Sequence, residues 1–336
     1  MDSTVVIREA SSQEVLDWDD LVTRFDNYRI VHKLAWLRSL EACVRGKLLY
    51  LIYEKDGEIV GCLPGFLVTI GLLRLFGSPL PGWQTISMGP AFDKNRISTH
   101  EVITLLRSFL RKHYRIHHLE LMSRELDLES MEALGFRGQP IPTYRVQLHA
   151  GDEDRMMRTL KDSARRNVRR GIRLGLDVKF EDGEVFVDEI YDQIKEVFIR
   201  GRNTVPFSKK RVLEYFRHMK AAGNLLATSV YLPNNGINIA TGLFTAEGKE
   251  LLLWQWAHRT QYRWYRPTEL MTWTVIKRAM ESGCDTLDLM GDGEFKAKFG
   301  AKLDTGEYRW VWSRYKSLIY LRDLAEKCYR WYTGVR

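Results

Sequence analysis

The apolar pattern of this chain runs through the same order of elements twice, and this repetition constrains the fold more than any other feature. In each half, amphipathic helices precede a β-hairpin, and a later helix leads into a short strand. The short strands at 118–121 (HLEL) and 286–289 (TLDL) hold equivalent places in this order. The repetition predicts two α/β domains, residues 1–150 and 151–336, that meet near residue 151.

The hydrophobic spacing also predicts the individual elements of both halves. In the first half we expect helices at 11–25, 32–44, 96–115 and 128–133, a hairpin at 47–65, and strands at 117–121 and 144–149. In the second half we expect helices at 153–174, 184–202, 208–222 and 267–280, three strands between 224 and 258, and a strand at 285–289.

Charge and composition exclude several classes of protein. No stretch is apolar enough to span a membrane, the N-terminus lacks the pattern of a secretory signal, and the four cysteines are too scattered for a metal site or a disulfide framework. We therefore expect a cytoplasmic protein without a metal. The formal net charge of +8 favours an anionic partner, which leaves phosphate-bearing cofactors, nucleic acid and anionic membrane surfaces open.

Three segments of the second half resemble the GNAT acyltransferase superfamily, in particular its Fem-like and CelD-like bacterial branch. The segment at 160–180 is similar to that family's basic helix leading into a strand, and the segment at 262–283 to its tyrosine-rich loop, proline and helix. The segment at 286–301 (TLDLMGDGEFKAKFGA) is similar to its strand, glycine-containing turn, aromatic-Lys and final aromatic-Gly. In the first half, the run at 58–64 (EIVGCLP) is also similar, so the resemblance spans most of the chain.

The resemblance implies an α/β (α+β) fold of two tandem GNAT-like domains, each a mixed, mostly antiparallel sheet flanked by helices. It also implies an enzyme that transfers an acyl group to an amine of a small molecule or of a cell-envelope or polysaccharide precursor. The implied co-substrate is an acyl-CoA, with acetyl-CoA favoured. A tRNA-dependent aminoacyl transferase of the Fem type and a non-catalytic GNAT-fold binding subunit are the alternatives, so tRNA stays open as a partner, whereas DNA is not expected.

The segment GDGEFKAKFG at 291–300 is the sharpest candidate for catalysis. Two glycines allow tight turns beside a ligand, Asp292 and Glu294 are possible proton acceptors, and Phe295 and Phe299 are expected to be buried together on one helical turn. Lys296 would then project from a fixed platform. By resemblance it matches the family's lysine near the reacting carbonyl, where an ammonium stabilises developing negative charge. An exposed lysine beside a core phenylalanine is the alternative.

Two cationic segments are candidates for binding phosphate groups. The loop after the third strand of 224–258 has no glycine, unlike ordinary GNAT enzymes, so Arg259, Arg263, Arg266 and Thr268 are predicted to bind the cofactor in its place. The helix at 155–173 is rich in arginine, and we expect Arg165, Arg166, Arg169 and Arg170 to bind a substrate or phosphate. The alternatives are a solvated loop and a surface helix paired with acidic side chains.

Aromatic residues and the C-terminus complete the predictions. Trp254 and Trp256 flank Gln255 on a predicted strand, so both are expected on one face. A helix from 315 interleaves basic residues with five apolar residues, which are Leu318, Ile319, Leu321, Leu324 and Tyr329. We expect this helix to dock on the second domain through those residues, and peripheral contact with an anionic membrane is the alternative.

Overall fold

The computed structural model describes residues 4–333, and most elements lie where the apolar pattern predicts them. The elements up to residue 141 are β1 (Val5–Glu9), α1 (Ser12–Leu16), α2 (Trp18–Val22), the 3-10 helix Ile30–His32, α3 (Leu34–Glu41), β2 (Lys47–Lys55), β3 (Glu58–Ile70), β4 (Leu73–Ser78), β5 (Ala91–Phe92), α4 (Thr99–Tyr114), β6 (His118–Ser123), α5 (Leu128–Ala133) and β7 (Arg137–Pro140).

The remaining elements follow from residue 142 onward. Between residues 142 and 305 they are β8 (Thr143–Gln147), α6 (Glu153–Thr159), α7 (Asp162–Arg173), β9 (Asp177–Phe180), α8 (Val185–Arg200), α9 (Lys209–Ala221), β10 (Leu225–Tyr231), β11 (Asn238–Glu247), β12 (Glu250–His258), the 3-10 helix Thr260–Tyr265, α10 (Pro267–Glu281), β13 (Thr286–Asp288), the 3-10 helix Glu294–Phe299 and β14 (Lys302–Asp304). The chain then forms β15 (Tyr308–Ser313) and α11 (Lys316–Thr333).

The chain divides into two compact units, and the division differs from the predicted boundary. The first unit combines Met1–Ile141 with Gly306–Tyr329, and the second is built on Pro142–Thr305. The boundary lies before residue 150 because β8 already pairs with β13 in the sheet of the second unit. Residues 306–329 return to the first unit because β15 pairs with both β6 and β7.

Each unit contains one mixed sheet flanked by helices, as the fold class predicts. The first sheet has the strand order β1-β2-β3-β4-β6-β15-β7, with β5 paired to β3, and the second has the order β14-β8-β13-β12-β11-β10-β9. Each sheet contains one parallel pair, β4–β6 in the first and β12–β13 in the second. The helix that precedes the second strand of each pair is α4 or α10, so the two halves repeat one arrangement.

The helices form where capping and apolar spacing favour them. Helix α4 begins with a capping box between Ser98 and Glu101 and buries one stripe of residues, which are Val102, Ile103, Leu106 and Leu110. Helix α10 begins with Pro267 at its first position and buries most of its length against the second sheet. In the part of the chain that the structure describes, no helix is both long and apolar enough to cross a membrane.

The C-terminal helix α11 attaches to the first unit rather than to the second domain. Glu120 on β6, which is 1% exposed, contacts Arg309 on β15 and Arg322 on α11 at 3.2 and 3.0 Å. A second pair joins Arg137 to Asp323 at 2.7 Å. The helix therefore docks as predicted, but on the first unit and through these ion pairs as well as through apolar residues.

The predicted apolar contacts of α11 are made only in part. Leu321 and Leu324 are 59% and 57% exposed, whereas Leu318 and Ile319 are half-buried. The side chain of Tyr329 lies outside the described residues.

The Glu120 cluster is expected to supply much of the acid-sensitive stability of the first unit. Burial alone would raise the pKa of Glu120, but the hydrogen bond from His118 and the charges of Arg309 and Arg322 lower it to about 2 from 4.5. Because the folded-state pKa is depressed, this contribution is present above about pH 4.5 and is lost as the pH falls towards 2.

We predict that Glu120→Gln lowers the free energy of unfolding at neutral pH by on the order of 3 kcal/mol, because two buried guanidinium groups lose their shared carboxylate. Urea denaturation at a series of pH values measures the effect, and the difference from wild type should shrink between pH 4.5 and 2 as Glu120 itself becomes protonated. Glu132→Gln, at an exposed position of α5, is the matched control and should change stability by less than about 0.5 kcal/mol. Equal stabilities of wild type and Glu120→Gln at pH 7 would contradict the assignment.

Candidate functional site

The parallel pair β12–β13 is short, and its shortness leaves one strand edge open. The two strands pair only at three positions, Glu250 with Thr286, Leu251 with Leu287 and Leu252 with Asp288. Strand β12 continues to His258, and no strand among the described residues pairs with this edge of 253–258. An extended, amide-bearing ligand is able to lie along a strand edge that no neighbouring strand covers.

A buried carboxylate organises the turn where β13 ends. Asp288 is 0% exposed and accepts hydrogen bonds from the Thr143 hydroxyl at 2.6 Å and from the Met290 N–H at 2.9 Å. Arg145 of β8 is the residue paired with Asp288 in the sheet, and its guanidinium lies 3.7 Å from the carboxylate. These contacts fix Met290 in a left-handed conformation with φ 48° and set the direction of the chain that follows.

Lys296 reaches back to this turn. It lies in the 3-10 helix Glu294–Phe299, is half-buried, and donates a hydrogen bond from Nζ to the carbonyl oxygen of Met290. Burial lowers the pKa of the Lys296 ammonium, while the negative charges of Asp288 and Asp292 oppose that fall. The ammonium therefore has a fixed position and further N–H groups beyond the one that Met290 accepts.

The backbone conformation at residue 291, beside this lysine, favours glycine. Gly291 has φ 78°, a backbone conformation that residues other than glycine rarely adopt. A Cβ there would lie 3.4 Å from the Lys296 Nζ. Asp292 and Glu294, the two predicted proton acceptors, are both exposed on the same turn.

The 3-10 helix is anchored by aromatic contacts, but not in the predicted way. Phe299 is 0% exposed, whereas Phe295 is 39% exposed, so the prediction that both are buried together is wrong. A 3-10 helix has about three residues per turn, so residues four apart do not share a face as they do in an α-helix. Both rings nonetheless contact Trp256 of β12, with centroids 5.8 and 5.9 Å away.

Trp254 and Trp256 lie on opposite faces of β12, contrary to the prediction. A β-bulge between Leu243 and Phe244 of the partner strand leaves Trp254 as the extra residue and reverses the alternation. Trp254 stacks on Tyr215 of α9, with ring centroids 4.0 Å apart. Trp256 packs on the opposite face of the sheet, against the hydrophobic core that contains Phe299 and α10. Only Trp256 borders the candidate site.

The same 3-10 helix is tied to the basic helices. The predicted helix at 153–174 is interrupted at Leu160, which is extended, so α6 and α7 are separate. At this break, Lys161 donates its N–H to the carbonyl oxygen of Lys298 at 2.9 Å. Gly300, with φ 79°, approaches Thr159 so closely that a Cβ would lie 2.7 Å from its carbonyl oxygen.

Glu269 is a buried acid at this junction that the sequence analysis missed. It lies in the first turn of α10, is 2% exposed, accepts a hydrogen bond from the Asn167 amide at 2.9 Å and lies 3.8 Å from Lys298 Nζ. Its contacts join α10, α7 and the 3-10 helix that carries Lys296. An acidic residue two positions after Pro267 was the available signal.

The four arginines of α7 divide into different roles. Arg165 donates hydrogen bonds to the carbonyl oxygens of Arg158 and Leu160 and contacts Asp162, so it closes the break between the helices. Arg170 lies over the ring of Trp264, 4.9 Å from its centroid. Arg166 and Arg169 are exposed and form no ion pair with any acid in the described part of the chain.

The loop arginines divide in a similar way. Arg259 contacts Glu189 at 2.8 Å, Asp192 at 3.3 Å and Glu196 at 3.6 Å on α8, so its charge is compensated within the second unit. Arg263 and Arg266 are exposed beside Trp264, which is 66% exposed, and Thr268 is buried at the second position of α10. We call Arg166, Arg169, Arg170, Arg263, Arg266 and Trp264 the arginine–tryptophan surface.

Asp288 is the second functional candidate that the sequence analysis missed. The signal was present, because HLEL and TLDL both carry an acid at their third position, and Glu120 and Asp288 are both almost completely buried. Elsewhere in residues 4–333, we find no group of three or more His, Cys, Asp or Glu side chains that could hold a metal ion.

Comparison with known proteins agrees with this geometry. Residues 155–316 match the family model of an acetyltransferase (GNAT) domain. Among curated proteins, none matches the sequence significantly. The predicted GNAT resemblance and the predicted class of enzyme, an N-acyltransferase, are thereby confirmed for the second half of the chain.

Solved structures extend the shared fold to both units. FemX is similar with a TM-score of 0.72 at 15% identity, covering 90% of this chain and 96% of its own. A tandem GNAT protein from the clavulanic acid biosynthesis pathway has a TM-score of 0.55 at 13% identity, covering 93% and 98%. L-PGS from Bacillus licheniformis has a TM-score of 0.56 at 12% identity, covering 98% and 99%. At these identities the likeness shows the fold, which is the predicted tandem GNAT arrangement.

We predict that Gly291→Ala destabilises the second unit by about 1–2 kcal/mol, because alanine pays the steric cost of a positive φ. Gly293→Ala is the matched control, since Gly293 has φ −65° and its added Cβ lies no closer than 3.9 Å to Lys296. Urea denaturation followed by tryptophan fluorescence compares the two variants. Similar losses of stability in both would refute the constraint at residue 291.

Proposed function

We propose that this protein, whose residues 155–316 are a GNAT acetyltransferase domain, transfers an acyl group from an acyl-CoA to an amine of a small molecule or of a cell-envelope or polysaccharide precursor. One observation carries the proposal: a half-buried lysine ammonium, Lys296, is held at a fixed turn beyond the open edge of β12. Acetyl-CoA is the favoured co-substrate.

Lys296 would act on the carbonyl oxygen of the acyl group. When the amine nitrogen forms its bond to the carbonyl carbon, negative charge develops on that oxygen, and an N–H of Lys296 is able to donate to it. The bond to the leaving thiol then breaks and the amine loses a proton. Because Met290 and the negative charges of Asp288 and Asp292 already hold the ammonium, little reorganisation is needed during the reaction.

The chain also offers separate places for the rest of the donor. The open edge at 253–258 suits an extended arm that carries amide groups, because no described strand covers this side of β12. The arginine–tryptophan surface suits an adenosine phosphate, since its arginines attract phosphate and its exposed ring is able to stack on a base.

A proton acceptor is available at the end of the same strand. His258 terminates β12, and burial together with the charge of Arg200 lowers its pKa below the ordinary value. A neutral imidazole at pH 7 is able to accept a proton from the attacking amine. Asp292 and Glu294 are the further candidates for orienting the amine on the Lys296 turn.

A second candidate function is aminoacyl transfer from tRNA. The residues at the N-terminus of α10 favour it. The loop before α10 lacks glycine, Pro267 removes one backbone N–H, and Glu269 places a negative charge in the first turn. These features disfavour a compact pyrophosphate site at the helix N-terminus. The arginine–tryptophan surface is open, and an open cationic surface also suits the 3′ end of a tRNA.

We predict that Lys296→Met lowers kcat by about a hundredfold with little change in the KM for acyl-CoA, because methionine keeps the packing of the stem and removes the charge. Release of the coenzyme A thiol with a panel of amino sugars measures the rate. Activity should also fall as the pH rises, with a midpoint below 10.5, the ordinary pKa of lysine. The protonated ammonium of Lys296 is required, and burial lowers its pKa.

Lys302→Met, at an exposed position on β14, is the matched control for this variant and should keep full activity. Undiminished acyl transfer by a folded Lys296→Met protein would sink the catalytic role. If wild type neither transfers an acyl group nor is stabilised by acyl-CoA or charged tRNA, a non-catalytic binding subunit is the better description.

We predict that the double variant Arg166→Gln/Arg169→Gln weakens donor binding by roughly tenfold and makes it less sensitive to salt, because both side chains lack an acidic partner in the described chain. Thermal shift and titration with acetyl-CoA, charged tRNA and uncharged tRNA separate the two candidate donors. Lys210→Gln/Lys249→Gln, both exposed in the second unit, removes the same charge and should bind as wild type does. Equal affinity of both double variants for the donor would count against the surface.

A further inference from the structure

The first unit contains an open cationic cleft that acyl transfer in the second unit does not use. Its volume is about 780 Å³, and it lies where the start of β4, the C-terminal end of α4 and the junction of β15 with α11 meet. The cleft is lined by five cationic side chains and a histidine, which are Arg74, Arg111, Lys112, Arg115, Arg314 and His117. No acidic residue is among its lining residues.

The charge of this cleft exceeds what the fold requires. Arg111 and Lys112 lie in the last turn of α4, where cations offset the helix dipole, and Arg74 donates to the Tyr114 carbonyl oxygen at 3.2 Å. Arg115 is the C-cap residue of α4, so its charge also lies at the C-terminal end of that helix, whereas Arg314 follows β15 and is not part of the helix. None of the five cations forms an ion pair with a described acid, whereas other arginines of this unit, such as Arg309 and Arg322, do.

Exposed apolar residues adjoin the cleft. At the turn between β3 and β4, Leu72 is 95% exposed and Ile70 is 61% exposed. Leu72 is two residues from Arg74, so their Cα atoms are at most about 7.6 Å apart. On the other side, Tyr315 is 50% exposed and directly follows Arg314. A single exposed leucine is ordinary, but aliphatic residues at a hairpin tip beside uncompensated cations are typical of contact with a membrane surface.

We propose that this face of the first unit binds an anionic phospholipid surface, with a lipid phosphate in the cleft and the hairpin tip at Ile70 and Leu72 in the interfacial region. The cations supply attraction to the negative surface, and the aliphatic side chains leave water when the tip enters it. A nucleic acid offers phosphates but no apolar phase for the exposed side chains of Ile70 and Leu72. The lipid surface therefore accounts for both features.

Sedimentation with sucrose-loaded vesicles tests this binding in the full-length protein. We expect binding to vesicles of phosphatidylcholine mixed with phosphatidylserine, little binding to phosphatidylcholine alone, and release at high salt. The variant Arg111→Gln/Lys112→Gln/Arg314→Gln should bind on the order of a hundredfold more weakly, since each cation near an anionic surface contributes several-fold to the affinity. Leu72→Ser should also weaken binding, although it changes no charge.

The matched control is Lys210→Gln/Lys249→Gln/Lys302→Gln, which removes the same charge from exposed positions of the second unit and should bind vesicles as wild type does. Thermal unfolding verifies that each variant is folded. An equal loss of vesicle binding in both triple variants would overturn the proposal, because net charge alone would then explain the binding.

Soluble competitors separate the possible sources of the phosphate. Glycerol phosphate and tRNA are titrated against vesicle-bound protein and against the protein alone. If either binds through the three cleft residues while Leu72→Ser sediments with vesicles as wild type does, the cleft is a site for a soluble phosphate or a nucleic acid, and the membrane proposal fails. Loss of vesicle binding in both the cleft variant and Leu72→Ser supports it.

Discussion

The pairing of β12 with β13 ends after three residues, and the candidate site depends on that limit. If the parallel pairing continued to His258, the edge at 253–258 would be filled and the turn that holds Lys296 would start further along the chain. Asp288 is the residue that ends the pairing, because its carboxylate accepts the Met290 N–H and turns the backbone away from the sheet. The proposed donor site combines this open edge with the ammonium of Lys296 on the turn that follows.

The first unit carries a buried acid at the position equivalent to Asp288, but in different surroundings. Glu120 occupies the place in β6 that Asp288 occupies in β13, but it is neutralised by Arg309 and Arg322, and β15 pairs with β6 along all six of its residues. In the first unit β4, which corresponds to β12, pairs with β6 through Leu75–Ser78 up to its own last residue, so it has no unpaired extension like 253–258 of β12. The open edge lies in the second unit, which also contains most of the residues that match the acetyltransferase domain model.

The sequence predicted the helices and long strands well, because each has a clear apolar period, and it missed the features that depend on distant residues. Strand β15 escaped prediction because nothing within Tyr308–Ser313 indicates that it returns to the first sheet. The bulge at Trp254 escaped because it is defined by the register with β11. Lys296 was found through a resemblance, whereas the partners that hold it, Met290 and Asp288, become apparent only when the turn is built.

Charge density along the sequence could not distinguish structural arginines from available ones. Arg259 and Arg166 belong to equally basic segments, yet three acids of α8 compensate Arg259 while Arg166 faces solvent without an acidic partner in the described chain. The distinction arises from packing, because an arginine brought beside acids of another helix is neutralised and one on an outer helix face is not. The net charge of +8 is therefore not spread evenly. Uncompensated cations gather on the arginine–tryptophan surface of one unit and in the cleft of the other, and these are the places where anions should bind most strongly.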